Sequence, residues 1–132
     1  MTTPTVRVKV RWVIRNDDGI LLCELRSGDF YCLPGGTLEP GETLVECLER
    51  EIHEELWIQA QVGKLLHMQD FVRESWTTID FWYEITNPWD FLSIDLSQAS
   101  HWHENSRVQF IALTEFEQYI IKPLNMREIL DK

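Results

Sequence analysis

Basic side chains are in short supply: 12 lysines and arginines face 22 aspartates and glutamates, for a net charge of −10. A chain this acidic is a poor match for a nucleic-acid backbone or an anionic membrane surface. Cysteine is scarce as well. Its three copies, Cys23, Cys32 and Cys47, are odd in number and lack metal-finger spacing, so reduced thiols in a cytoplasm are expected. No hydrophobic leader precedes Pro4, and no apolar run approaches the length of a membrane span, which argues against export and against insertion in a bilayer. Repeats, low-complexity tracts and linkers are missing too. What remains is the expectation of one domain over residues 1–132, long enough to bury about two-thirds of its unfolded surface.

What the chain does have is concentrated acid. Glu39, Glu42, Glu46, Glu49, Glu51, Glu54 and Glu55 fall within 17 residues, against Arg50 alone. The stretch opens on a turn at Pro34, Gly35 and Gly36, passes a second turn at Pro40-Gly41, and becomes helical over Thr43 to Leu56. Leu44, Val45, Leu48, Ile52 and Leu56 form an apolar stripe that can pack on a sheet. Thr43 and Glu46 have the spacing of a capping box. Glu51, Glu54 and Glu55 stand at i, i+3 and i+4 and share one face, where like charges destabilise a bare helix by a few tenths of a kcal/mol per pair. A divalent cation would relieve that repulsion. Magnesium in particular takes carboxylates, waters and substrate phosphates as ligands, so a phosphate-handling metal site is the reading.

Around this stretch the periodicity reads mostly as strands. Val6, Val8, Val10 and Trp12 alternate with Arg7, Lys9 and Arg11, a strand with one buried face. A turn at Asn16-Asp17-Asp18-Gly19 leads to the apolar run Ile20 to Leu25, and the two strands are expected to pair as a hairpin. Ser27-Gly28-Asp29 reads as a loop and Phe30 to Leu33 as a short strand. Val62 to Val72 and Thr77 to Thr86 read as further strands, the second with Ile79, Phe81, Tyr83 and Ile85 on one face. Trp89 to Arg107 reads as a long loop, and Val108 to Leu113 as a last strand. Thr114 is expected to cap a helix reaching about Ile121, with a short helix over Asn125 to Leu130 beyond Pro123. Strands around a long helix suggest an α/β sandwich about a mixed sheet.

Gly36, five residues, Glu42, seven residues, then Arg50-Glu51-Ile52-His53-Glu54-Glu55-Leu56-Trp57-Ile58 resembles the Nudix box, G-x5-E-x7-R-E-U-x-E-E-x-G-U with U apolar. Only the last glycine departs, being Trp57. Six exact matches at fixed spacing should arise by chance in roughly one such chain in 100,000. The resemblance implies a Nudix-like α/β/α sandwich with a central mixed β-sheet, the box forming loop, helix and loop upon it. It implies a pyrophosphohydrolase that cleaves the diphosphate linkage of a nucleoside diphosphate joined to another group, using Mg2+ or Mn2+. Glu51, Glu54 and Glu55 would be the metal ligands with the Gly36 carbonyl completing the shell, and Gly35 and Gly36 would border the substrate. Arg50 and Glu42 would form the salt bridge that orients the acidic helix. Glu104, six residues ahead of Phe110, is a further candidate ligand or general base. Whether Glu51 or Glu104 takes the proton stays open. The helix exit at Trp57 is expected to differ from the family's, running one or two residues further, because a tryptophan adopts the left-handed conformation only at a cost.

Other readings stand beside these. Glu39, Glu46 and Glu49 read as solvated surface. His101-Trp102-His103 would offer two imidazoles to a metal but more often decorates a loop. Trp12, Phe30, Tyr31, Trp76, Phe81, Trp82 and Tyr83 would offer a face for stacking a nucleobase, although core packing suits most of them. Cys47 lacks an evident basic neighbour and is not expected to act as a nucleophile. A nucleotide-sensing domain without turnover is the alternative function, and an isoprenoid-diphosphate isomerase shares the fold. Nucleoside triphosphates, nucleotide sugars and ADP-ribose all remain as substrates; neither the downstream proline nor the tyrosine that marks some branches occurs between Gly63 and Thr78. Exposed aromatics would suit a homodimer, the commonest symmetric assembly.

Overall fold

The alternating N-terminal residues form β1 (Thr5–Val13), and the computed structural model describes residues 5–24, 30–73, 75–91 and 108–131, the Arg73 side chain apart. Strands β2 (Arg15–Asn16), β3 (Gly19–Glu24), β4 (Tyr31–Cys32) and β5 (Gly35–Thr37) follow, then α1 (Leu44–Leu56), β6 (Val62–Arg73), β7 (Trp76–Ile85), β8 (Val108–Ile111) and α2 (Met126–Leu130). Short 3-10 turns occupy Pro88–Phe91 and Leu113–Gln118. One sheet has the order β5-β1-β7-β6, with β1 and β7 parallel and the other pairs antiparallel. In the second, β3 pairs with β8 along one edge and with β2 and β4 at the two ends of the other.

Two apolar layers flank these strands. Cys47, Leu48, Ile52 and Leu56 of α1 bury against Val10, Trp12, Ile14 and Ile85. On the opposite side Val13, Ile20, Leu22 and Trp82 pack under Phe116, Ile121, Met126 and Leu130. Successive residues of one strand point to opposite faces, which is why Trp12 serves one layer and Val13 the other. This is the α/β architecture expected, helices on both sides of mixed strands. Among the described residues no helix is long and apolar enough to cross a membrane.

Several local expectations are corrected. The turn at Asp17-Asp18 does join a hairpin, but its first arm is only β2; β1 pairs with β5 and β7 instead. The buried face of β1 begins at Val10, and Val6 is 61% exposed. In β7 the buried residues are Asp80, Trp82 and Ile85, so much of the burial lies on the face opposite Ile79, Phe81 and Tyr83. Gly35 and Gly36, read as a turn, form strand β5, because the missing side chain lets Gly35 lie against the Val10 carbonyl. Val45 is exposed, and Cys47 takes its place in the helix stripe. Ala112, not Thr114, precedes the 3-10 turn that replaces the expected helix, and no side chain caps it. The helix also ends at Leu56: Trp57 adopts the left-handed conformation (φ 60, ψ 28) and its N–H bonds to the His53 carbonyl. The strain is tolerated beside a ring contact between Trp57 and His53.

Candidate active site

The start of α1 is fixed by a reciprocal capping box. Glu46 N–H donates to Thr43 Oγ1 at 3.1 Å, and Thr43 N–H donates to Glu46 Oε1 at 2.9 Å. Such a cap stabilises a helix by about 1 kcal/mol, and here it also fixes the rotation at which the later acids emerge. Asn87, buried, secures the other end: its side chain bonds Gln59, Gln61 and Asp90. Between these anchors Arg50 gathers the acids. Its Nε and Nη2 donate to the two Glu42 oxygens at 3.1 and 2.9 Å. Its Nη1 donates to Glu51 at 3.0 Å and Glu54 at 3.3 Å, and Nη2 also reaches the Thr37 carbonyl of β5. The paired guanidinium holds the Glu42 carboxyl down to about 2.

Glu55 lies one helical turn along from Glu51 and faces inward. Burial, reinforced by Glu51 and Glu54, pushes its carboxyl up to about 8, and its buried Oε2 has no hydrogen-bond partner among the described residues. An isolated buried carboxylate is costly, and it is relieved by a proton or by a cation. Gly36 of β5 sits over Glu51 so closely that a Cβ would overlap Cγ, Cδ and Oε1 of that carboxylate. The oxygen donors, the orphaned Glu55 oxygen and the glycine cradle fit a hard divalent ion. The cage is not gathered in advance. Among the described residues no three acidic, thiol or imidazole side chains already converge on one point as a metal cage would.

Glu55 is also part of the wall of a cavity of about 540 Å3, within the range of small-molecule sites. Gly35, Arg11 and Asp80 line it, together with Phe30, Phe71, Trp76 and Trp82. Arg11 Nε donates to Asp80 Oδ2 at 2.9 Å and its Nη1 donates to the Leu33 carbonyl at 3.0 Å. Asp80 Oδ1 is buried without a partner among the described residues. Lys9 completes the charged wall, its ammonium lowered by burial and then by the positive Arg11 beside it.

Of the residues singled out in the sequence, Gly36, Glu42, Arg50, Glu51, Glu54 and Glu55 come together at the β5–α1 junction. Glu104, His101 and His103 lie outside the described residues, as does the Ser27-Gly28-Asp29 loop. Of the aromatics, Phe30, Trp76 and Trp82 border the cavity while Trp12 belongs to the core. Cys47 does have a basic neighbour, with Arg50 Nη2 3.8 Å away, yet burial and Glu42 push its thiol up to about 12. A raised thiol is a poorer nucleophile, a different reason from the one expected. Lys9, Arg11, Phe71 and Asp80 were not anticipated as cavity residues. The signals were present: bases alternating along one strand of an acidic chain, and an aspartate set between Ile79 and Phe81 in the middle of a strand.

The NUDIX domain family model matches residues 5–132. A nucleoside triphosphatase NudI from Enterobacter sp. (strain 638) is 49% identical over 49 residues, 33% of this chain and 35% of that protein. An ADP-ribose pyrophosphatase from Methanocaldococcus jannaschii is 40% identical over 62 residues, 45% of this chain and 37% of that protein. The matched stretches therefore span little more than a third of either relative. The solution structure of the E. coli ORF135 protein superposes with a TM-score of 0.70 at 21% identity, covering 96% of this chain and 88% of that one.

Proposed function

We propose, from the premise that this chain belongs to the NUDIX family, that it hydrolyses the diphosphate linkage of a nucleoside diphosphate joined to another group. The observation that carries the reading is Glu55, which belongs at once to the carboxylate cluster and to the wall of the cavity. Phosphates held at the cluster would leave the rest of the substrate room in that cavity. The relatives' names, a nucleoside triphosphatase and an ADP-ribose pyrophosphatase, agree with a nucleotide substrate.

The Gly36 carbonyl and the carboxylates of Glu51, Glu54 and Glu55 would hold Mg2+ or Mn2+. A bound divalent ion supplies neutralisation of the diphosphate oxygens and acidifies a coordinated water. The chain's own residues do the rest. Arg50, held by Glu42, orients Glu51 and Glu54 toward the cluster. Glu51 or Glu104 accepts the proton of the attacking water. Gly35 and Gly36 allow the β5 backbone to approach the phosphates without a side chain between. Apolar and aromatic walls limit water in the cavity, while Arg11 and Asp80 offer a donor and an acceptor to the sugar or base.

The test is product release from a panel of nucleoside triphosphates, nucleotide sugars and ADP-ribose with Mg2+ present or chelated. Activity should require the ion and fall by orders of magnitude in Glu54→Gln and Glu55→Gln, since each removes several kcal/mol of transition-state stabilisation. Turnover unaltered by both substitutions would refute the site.

A further inference from the structure

The cavity wall carries two thiols that the hydrolytic reading leaves unused. Cys23 on β3 and Cys32 on β4 are direct cross-strand partners in an antiparallel pair. Such partners have Cα atoms about 4.5 or 5.5 Å apart, and both spacings fall inside the range of about 4.4–6.8 Å that a disulfide spans. The two Sγ atoms are already 3.8 Å apart, and Cys23 Sγ also lies 3.4 Å from the Cys32 carbonyl oxygen. Both are half-buried and line the cavity. Arg11 and Lys9 line the same cavity.

We propose that Cys23 and Cys32 are a reversible thiol-modification site in the cavity wall, oxidised by a peroxide to a Cys23–Cys32 disulfide and restored by a dithiol. The roles of the two sulfurs differ. The sulfur–sulfur contact holds the Cys32 thiol down to about 7, with Arg11 and Lys9 adding to the effect, while that same contact with Cys32, and then burial, raises Cys23. Cys32 is therefore the thiolate that attacks. Its sulfur displaces hydroxide from hydrogen peroxide, breaking the O–O bond and leaving a sulfenic acid. The Cys23 sulfur then attacks the Cys32 sulfur, the S–O bond breaks, and the departing hydroxide takes the Cys23 proton as water. In sum, two thiols give up two electrons and two protons, and one hydrogen peroxide becomes two waters. Closing the bond draws the sulfurs from 3.8 Å to about 2 Å and so reshapes the wall that faces the substrate. This effect on turnover rests on the hydrolytic reading above; the chemistry of the pair does not.

Intact-mass and peptide analysis after treatment with one equivalent of hydrogen peroxide tests it. The folded protein should lose two hydrogens, its free thiols falling from three to one, and the linked peptides should contain Cys23 and Cys32. Cys47→Ser should form the same crosslink. Cys23→Ser should stop at a Cys32 sulfenic acid that dimedone captures. Below peroxide, Cys32 should react with iodoacetamide at neutral pH at least about tenfold faster than Cys47. Retention of all three thiols, or consumption of Cys47 as fast as Cys32, would overturn the proposal. Nucleotide hydrolysis should fall severalfold in the crosslinked protein and return with dithiothreitol. A crosslink that forms with turnover unchanged upholds the thiol site and counts instead against the cavity as the substrate's.

Discussion

Two glycines near the acidic helix separate catalysis from stability. Gly36 has an ordinary backbone, but an added Cβ would overlap the Glu51 carboxylate, which is bonded to Arg50 at 3.0 Å. Gly41 is the reverse case: open space surrounds it, but its φ is +87. Gly36→Ala should therefore push the Glu51 carboxylate aside by roughly the size of a methyl group and leave the fold in place. Misplacing a catalytic group by about 1 Å can cost about 100-fold in rate, equivalent to about 2.7 kcal/mol of barrier. Gly41→Ala should instead destabilise by about 1–2 kcal/mol from the left-handed backbone. For a chain of this length that lowers Tm by roughly 3–10 °C, while kcat/KM measured well below Tm is retained. Steady-state hydrolysis with Mg2+ and thermal unfolding of both variants provide the comparison. A Gly36→Ala protein that is folded and fully active would show that the position of Glu51 does not govern the reaction.

Other perturbations follow from the same geometry. Trp57→Gly should be more stable than Trp57→Ala by roughly 0.5–1 kcal/mol, since removing about 1–2 kcal/mol of left-handed strain outweighs the glycine's greater freedom when unfolded; equal urea midpoints would argue against strain at that residue. Asp80→Asn keeps an acceptor for Arg11 but loses its charge, so KM should rise several-fold with kcat much less affected, and a loss confined to kcat would contradict a binding role for the cavity. Glu42 has a folded value of about 2 against an ordinary 4.5, so its contribution to stability is present above about pH 4.5 and is lost as pH falls toward 2. The stability difference between the wild-type protein and Glu42→Gln should accordingly shrink over that window in urea titrations, and a constant difference would mean that the Arg50 pair does not cause it.

The acid cluster was legible because it is local. Helical spacing alone brings Glu51, Glu54 and Glu55 to one side, and Thr43 with Glu46 marks the start of the helix within four residues. The cavity was not legible, because its residues meet only through strand register. Lys9 pairs with Asp80 and Arg11 with Trp82 across the parallel β1–β7 ladder. Alternation in β1 identified Val10 and Trp12 as buried, but nothing in that pattern says that the other face encloses a cavity instead of meeting bulk water. Cys23 and Cys32 were hidden likewise, nine residues apart until β3 and β4 bring them face to face. At Trp57 intrinsic preference pointed away from the observed conformation, and the tertiary setting prevailed.

The interior position of β1 has a consequence for how the chain reaches this state. It is flanked by β5 and β7, and every residue from Thr5 to Val13 finds its β7 partner about seventy positions later, between Trp76 and Glu84. Until that later segment exists, a long edge of β1 stays open, and any fragment ending before it would present unpaired amides to other chains. Closing so distant a pairing is slow relative to local contacts. The assembly of this molecule is therefore gated by the arrival of β7, well after the acidic helix has been made.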